Sequence, residues 1–135
     1  MRPLEHRRVK KAENDSYSFK IDVETISKLG IVTRTPVDLT DWKFRMYVHK
    51  HVEYCPEQLV FKTVGYAPNP ENGIVFFLTP ACKTDIKPGM YWYTVEYETP
   101  NGKKYRTESA KYEVVLSLNP YFSIYKYGMR NELQL

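Results

Sequence analysis

Apolar and polar residues alternate with a period of two over much of this chain. The alternation is clearest at residues 42–49, where one face carries Trp42, Phe44, Met46 and Val48 and the other carries Lys43, Arg45, Tyr47 and His49. Residues 90–98 alternate in the same way, with three tyrosines and Val95 on one face. A period of two is typical of a β-strand that buries one of its faces. Both segments are therefore predicted to be strands that face a core.

Turn residues separate further segments of strand-like composition. Those predicted strands cover residues 17–26, 58–67, 74–79, 103–109 and 110–116, and residues 31–33 are a candidate for a short strand. Residues 70–73 (PENG) supply a turn before one strand, and Asn101-Gly102 predicts a two-residue hairpin loop before another. About seven short strands without a long helix predict an all-β fold, an immunoglobulin-like antiparallel β-sandwich. A barrel of the OB type is the structural alternative.

The two ends of the chain differ from this regular middle. Residues 1–16 are predicted to form an N-terminal arm whose basic residues include Arg7, Arg8, Lys10 and Lys11. Such an arm is either a solvated terminus or a segment that becomes ordered against an acidic protein or nucleic acid. Residues 117–135 have no regular alternation and are predicted to form a C-terminal arm. The β-sandwich domain is expected to span residues 17–116.

Length and charge narrow the class of protein further. A chain of 135 residues fits one domain and can bury a core without help from a disulfide or a metal. The net charge of +4 permits an acidic partner but does not by itself indicate nucleic-acid binding. Lys103, Lys104 and Arg106, with Tyr105 between them, fit a single-strand binder but equally fit an ordinary polar strand. Nucleic acid is therefore not the favoured partner.

The sequence also predicts where the chain is made. No apolar run approaches the roughly 20 residues that span a bilayer, and the first residues lack the apolar stretch of a signal peptide. We therefore expect synthesis and folding in a cytoplasm, without membrane contact. In that compartment Cys55 and Cys82 are expected to be free thiols rather than a disulfide.

No pattern in the chain indicates catalysis. A phosphate-binding glycine loop, a nucleophile elbow and an HExxH motif are all missing from the sequence. His49 and His51 are two residues apart, as metal ligands on one strand face would be, but no third ligand stands at a motif-like spacing. They are expected to be surface histidines at a strand end. We predict no enzyme activity, no cofactor and no metal.

Aromatic residues offer one candidate ligand site. Tyr47 and Trp92 are predicted to lie on outward faces of their strands, where exposed rings could stack on sugars. The alternative is that the aromatic residues at 91–93 belong to the core and to an ordinary opposite face.

Several segments together resemble a known family. They read DLTDWKFRMYV, NPENGIVFFLTP, IKPGMYWYTVEYETPNGKKY and KYEVV. In this order they resemble a module common in tailed-bacteriophage virion proteins, similar to the N-terminal domain of phage upper baseplate proteins. The resemblance covers about residues 17–116. It implies a β-sandwich with a non-enzymatic structural role in a virion, made in the host cytoplasm.

The resemblance also implies how the chain would be used. Family members often carry the module in front of a longer receptor-binding or oligomerising region, whereas residues 117–135 are all that follow it here. The favoured expectation is therefore a head-associated (capsid decoration) or neck component. The alternatives are a baseplate or tail component and a carbohydrate-binding module on the virion surface. Contacts with other virion proteins, with oligomers included, are expected through Arg7, Arg8, Lys10, Lys11, Tyr121, Phe122, Ile124, Tyr125 and Tyr127.

Overall fold

Ten β-strands account for most of residues 3–116, the part of the chain that the computed structural model describes. They are β1 (Arg7–Lys10), β2 (Asp15–Lys20), β3 (Asp22–Ile26), β4 (Val32–Pro36), β5 (Lys43–His49), β6 (Leu59–Tyr66), β7 (Ile74–Thr79), β8 (Gly89–Glu98), β9 (Lys104–Arg106) and β10 (Ala110–Val115). A short helix, α1 (Ala81–Thr84), lies between β7 and β8. The fold is all-β and immunoglobulin-like, as the sequence predicts.

Eight of the strands form one hydrogen-bonded sheet. The strand order is β1-β10-β8-β5-β6-β7-β2, and β9 pairs with β8 off this path. Neighbours are antiparallel except β1 and β10, which run parallel. The sheet folds over on itself, so the arrangement is sandwich-like and nearly a closed barrel. Strands β3 and β4 form a separate two-stranded hairpin.

Strands β6 and β7 pair over a short stretch only. Two residue pairs join these strands, Gly65 with Phe77 and Tyr66 with Phe76. A Cβ atom on Gly65 would lie 2.7 Å from Cε1 of Phe77, closer than side-chain atoms approach. Glycine at this position therefore lets the Phe77 ring lie directly against the backbone of β6.

Alternate residues of the sheet face inward and form the core. The most deeply buried are Phe44, Met46, Val48, Val75, Phe77, Tyr93, Val95, Tyr112 and Val114. Their rings interlock, since the Tyr93 ring lies edge-on to Tyr112 at 5.9 Å and edge-on to Tyr17 at 6.0 Å between centroids. The alternation at 42–49 and 90–98 thus identifies the core faces of the two central strands correctly, His49 excepted.

Residues 7–10 and 15–16, predicted as part of a basic arm, belong to strands β1 and β2 of the sheet instead. Strand β1 pairs with β10, and Val9 within it is 3% exposed. Arg7 lies across the seam between the end strands, 2.6 Å from Oδ1 of Asp15 and with its guanidinium carbon 4.4 Å from the centre of the Tyr17 ring. An extended four-residue segment with one buried apolar residue finds its partner about a hundred residues away. Local sequence could not indicate that pairing.

The seam is closed by buried hydroxyls as well. The Tyr93 hydroxyl donates to the Glu5 carbonyl and lies 3.3 Å from the Tyr17 hydroxyl. Burial raises the pKa of the Tyr93 and Tyr112 hydroxyls well above the ordinary value. Both hydroxyls therefore stay protonated at physiological pH, and the hydrogen bond from Tyr93 to Glu5 holds the first residues of the described chain against the core.

The predicted strand 17–26 is two strands, because the chain turns out of the sheet at Ile21. The Ile21 N–H donates to the Gly73 carbonyl at 2.7 Å, and the Ile21 carbonyl accepts from the Val37 N–H at 3.0 Å. Gly73 has φ +70°, and a Cβ there would lie 2.5 Å from the Ile21 oxygen. These contacts fix the base of the β3–β4 hairpin. Val23 continues the alternation of β2, which hides the break in the sequence.

The Asn101-Gly102 hairpin is present, but its loop is longer than predicted. Gly102 N–H donates to the Thr99 carbonyl and Thr99 N–H to the Lys103 carbonyl, both at 2.9 Å. Three residues therefore lie between the paired ones, with Gly102 at φ +88°. Pro100 accounts for the difference, because its fixed φ suits the second position of a type I turn.

Candidate interaction surfaces

Tyr47 and Trp92, the predicted glycan platform, lie on one outer face of neighbouring strands. In the β5–β8 register, Tyr47 is opposite Thr94 and His49 is opposite Trp92. Both aromatic side chains are half-buried. The Tyr47 ring already contacts Tyr54 at 5.2 Å between centroids and the Arg106 guanidinium at 4.6 Å. The structure brings the two residues together, but Tyr47 is engaged within the chain.

Charged residues of this outer face pair with one another. Arg45 contacts Oε1 of Glu96 at 2.8 Å and Oε1 of Glu98 at 3.4 Å. Arg106 contacts Oε2 of Glu96 at 3.2 Å and donates to the Thr94 hydroxyl at 3.0 Å. Burial and the Glu96 charge raise the pKa of the Tyr47 hydroxyl. Arg106, one of the basic residues that could fit a single-strand binder, thus already pairs with Glu96 and Thr94 within the domain.

A shallow groove borders the outer face. Its volume is about 570 Å³, and its lining is Val52, Glu53, Tyr54, Thr94, Arg106, Thr107, Glu108 and Ser109. The Ser109 hydroxyl donates to the Val52 carbonyl, which ties the 50–55 loop to the strand that follows. The groove therefore combines an aromatic ring with several polar groups able to bind hydroxyls.

His49, predicted at the surface, is fully buried. The β5–β6 register shifts between Val48 and His49, and the Tyr54 ring covers the imidazole edge-on at 5.5 Å. Nδ1 lies 2.6 Å from the His51 carbonyl. Burial lowers the pKa of His49 below its ordinary value, so the ring is neutral at pH 7 and Nδ1 donates to that carbonyl. His49 and His51 thus do not form the shared exposed face that a metal pair needs.

The basic residues predicted to bind partners through the N-terminal arm mostly pair within the domain. Arg7 contacts Asp15, Arg8 contacts Oε1 of Glu113 at 3.1 Å, and Lys11 contacts Oδ1 of Asp85 at 2.7 Å. Lys10 is exposed. The ion pairs of Arg8 and Lys11 are largely at the surface, where such pairs contribute little stability and can exchange for a partner. Partner binding by these residues stays a prediction.

The other predicted partner contacts lie outside the described residues. They are Tyr121, Phe122, Ile124, Tyr125 and Tyr127. Binding by this segment likewise stays a prediction.

The most exposed apolar feature of the described chain is one that the sequence did not reveal, the tip of the β3–β4 hairpin. The tip consists of residues 26–32, and its exposed apolar side chains are Ile26 (67%), Leu29 (87%), Ile31 (59%) and Val32 (51%). The stem is pinned by Arg34, which contacts Oε2 of Glu24 at 2.7 Å. Apolar residues are concentrated at the end of an arm that projects from the sheet.

The backbone of the hairpin tip is ordered by its own turn. The Ser27 hydroxyl accepts from the N–H groups of Leu29 at 3.2 Å and Ile31 at 3.1 Å. The Ser27 N–H donates to the Ile31 carbonyl, and the Gly30 N–H donates to the Ser27 carbonyl, both at 2.9 Å. Gly30, at φ +81°, permits this turn. The spacing of Ser27 and Gly30 indicates the turn in the sequence. The neighbouring sequence does not show that the apolar residues of the tip are exposed.

A second apolar feature lies at the far end of β2 and β7. This feature, named the Leu78 cleft, has a volume of about 340 Å³. Its lining residues are Asn14, Asp15, Ser16, Leu78, Thr79 and Pro80. Leu78 is 53% exposed. Asn14 accepts through its side chain from the Ala81 N–H at 2.8 Å, which fixes one wall.

Two kinds of site are not found in the described part of the chain. Within residues 3–116, no three His, Cys, Asp or Glu side chains are grouped so that they could hold a metal ion. Over the same residues, no helix has the length and apolarity to cross a membrane.

Comparisons with known proteins identify no family for this chain. No protein-family model matches the chain, and no curated protein matches it. Extracellular domains 3–5 of Drosophila OTK are similar to it in structure, with 14% sequence identity and a TM-score of 0.34. The match covers 87% of this chain and 35% of the OTK chain.

Proposed function

We propose that this protein is a non-enzymatic structural component of a tailed-bacteriophage virion, at the head or the neck. The observation that supports an assembly role best is the β3–β4 hairpin, whose ordered tip exposes four large apolar side chains. Exposed apolar clusters commonly mark contacts with other proteins. The resemblance of residues 17–116 to phage virion modules supports the virion as the assembly in question.

The proposed mechanism is docking by a rigid domain. The hairpin base is held by the Ile21 N–H donating to the Gly73 carbonyl and the Val37 N–H donating to the Ile21 carbonyl. Its tip is held by the Ser27 hydroxyl, which accepts from the Leu29 N–H. A preorganised arm loses little conformational entropy when it binds, so most of the apolar contact contributes to affinity. Residues 117–135 would add a second attachment, with their aromatic residues contacting a neighbouring subunit.

The virion role is tested by particle composition. We expect the full chain to be present in purified particles and a variant lacking residues 119–135 to be missing from them. Circular dichroism and cooperative unfolding should show that the shortened chain still folds. If the full chain is not found in particles, the virion role is wrong. If the shortened chain is incorporated normally, the virion role stands and only the attachment through the C-terminal segment is wrong.

A carbohydrate-binding role is the second candidate, and the groove beside Tyr54 favours it. The groove places Tyr54 near polar groups of Arg106 and Ser109, next to Tyr47 on the same face. Trp92 borders this groove, because it lies on the same outer face of β8 as Thr94, which lines the groove. We would expect binding on a glycan array that is lost in Trp92→Ala while the unfolding midpoint changes little. An array on which the unaltered protein binds no glycan would remove this candidate.

A further inference from the structure

The hairpin tip and the Leu78 cleft are complementary in shape and in chemistry. The tip is convex and apolar, with Leu29 the most exposed large apolar side chain of the described residues. The cleft is concave, with Leu78 and Pro80 in its wall, and its volume of about 340 Å³ can hold one or two aliphatic side chains. Contact between two hairpin tips would bury less apolar surface than contact between a tip and the cleft, because the flanks of each tip would stay exposed to water.

The charges of the two features are also complementary. The tip carries Lys28, within a turn whose other residues are uncharged. The cleft is lined by Asp15, which shares its carboxylate with Arg7 at 2.6 Å. Among the described residues that line the cleft, Asp15 is the one that carries a charge. Arg7 contacts Oδ1 and offsets much of the Asp15 charge, so Lys28 of an approaching tip would bind through Oδ2, which favours one orientation of the tip.

The two features lie at opposite ends of the same pair of strands. In the β2–β7 register, Lys20 is opposite Ile74 at the end where the hairpin leaves the sheet. Asp15 is opposite Thr79 at the other end, where the cleft lies. Five residues of extended strand separate these ends by roughly 17 Å. Within one molecule the tip does not fill the cleft, since the side chains of the tip and Leu78 are both exposed.

We propose that the hairpin tip of one copy of this chain binds in the Leu78 cleft of a second copy. Because the two surfaces are different, the contact is head-to-tail, and it leaves each end copy with one unfilled surface. Further copies can therefore add until a ring closes or the row is capped by another protein. This inference rests on the proposed assembly role and deepens it by naming the partner of the hairpin.

The contact between two isolated copies is expected to be weak. A few aliphatic side chains bury much less than the roughly 800 Å² per partner of a stable interface. Repetition of the contact in a row, or attachment of each copy to a common surface, would raise the occupancy through effective concentration. The test must therefore trap a contact that is short-lived in dilute solution.

Disulfide trapping between two single-cysteine variants provides that test. The background carries Cys55→Ser and Cys82→Ser, because both native cysteines are free thiols. One variant then carries Leu29→Cys and the other carries Leu78→Cys, and the two are mixed under a mild oxidant such as diamide. The matched control replaces the second variant by Val52→Cys, since Val52 is 51% exposed and Leu78 is 53% exposed. Reduced samples and unfolding midpoints establish that each variant is folded.

The predicted result is a mixed dimer of Leu29→Cys with Leu78→Cys that forms at least about tenfold faster than the control pair. One chain that carries both cysteines should give a ladder of oligomers. Adding Lys28→Glu to the Leu29→Cys variant should slow the mixed reaction. Equal rates for the Leu78→Cys and Val52→Cys partners would overturn the inference, as would faster joining of Leu29→Cys to itself. Because the assay uses purified protein, its failure would leave the particle-composition test of the virion role unaffected.

Discussion

At the scale of single residues, Gly30 and Gly73 illustrate two reasons why a position requires glycine. Gly30 requires it for its backbone conformation alone, and Gly73 also for lack of space for a Cβ atom. Both have positive φ, +70° and +81°, but a Cβ on Gly73 would meet the Ile21 oxygen at 2.5 Å, while one on Gly30 would meet nothing within 4 Å. We predict that Gly30→Ala costs about 1 kcal/mol of unfolding free energy, from backbone conformation alone. Gly73→Ala should cost about 3 kcal/mol or more, because backbone atoms at the hairpin base must also move. Urea denaturation measures both, and equal losses would contradict the described contact.

His49 makes a prediction about pH. Its pKa is lowered in the folded protein, chiefly by burial, while in the unfolded chain it is about 6.5. Below that pH the unfolded state takes up a proton that folded His49 does not, so the unfolding free energy should fall as pH drops from 7 toward 5. His49→Gln should remove part of this dependence, because glutamine does not titrate. His51→Gln, at an exposed neighbour, is the matched control for the loss of an imidazole from this loop. Identical pH profiles for the native and His49→Gln proteins would show that His49 is not buried in its neutral form.

At the scale of elements, the β3–β4 hairpin should be separable from the sheet. Its base is closed by the Val37 N–H donating to the Ile21 carbonyl, so the two ends of the hairpin are already adjacent. Replacing residues 22–36 by a short Gly-Asn turn should keep cooperative unfolding, with a loss of no more than about 2 kcal/mol. The same variant should lose the mixed-dimer reaction, which is otherwise trapped through Leu29. Loss of folding on excision would mean that the hairpin is part of the core.

The elements differ in how far their sequences predict them. The central strands β5 and β8 are predictable because each has one buried face, and burial there follows the alternation of Phe44, Met46 and Val48. Strand β1 is not, because parallel pairing with β10 depends on contacts distant in sequence. The hairpin is not predictable either, because Val23 continues the alternation of buried residues in β2 but is 53% exposed. Periodicity indicates which residues share a face, and it does not show whether anything covers that face.

At the scale of the whole molecule, the first residues should matter for stability. Strand β1 closes the sheet beside β10, buries Val9 and contributes Arg7 to the seam. Deleting residues 1–11 should therefore lower the unfolding free energy by about 3 kcal/mol or more, from lost burial and lost strand pairing. Deleting residues 119–135 is the comparison and should leave stability nearly unchanged. Equal stability of the chain without residues 1–11 and the full chain would restore the interpretation of this segment as an arm.

The described part of the molecule is therefore a nearly closed β-domain with an exposed apolar hairpin tip at one end and an apolar cleft at the other. The ion pairs of the outer face hold β5, β8 and β9 together, and the seam residues hold β1 and β2 together. The hairpin tip at one end and the Leu78 cleft at the other are features that the domain does not itself fill. Assembly through these ends is the central claim, and its virion setting is the proposed context.

The most direct measurement is the number of copies incorporated into purified particles, determined by quantitative mass spectrometry for two matched variants. Leu29→Ser removes the apolar group at the hairpin tip, and Val52→Ser removes one of similar character from a loop away from it. Both should fold normally, since both positions are exposed. We predict that Leu29→Ser reduces the copy number at least about tenfold, while Val52→Ser keeps it at the level of the unaltered protein. Incorporation of Leu29→Ser at the same level as Val52→Ser would contradict assembly through the hairpin.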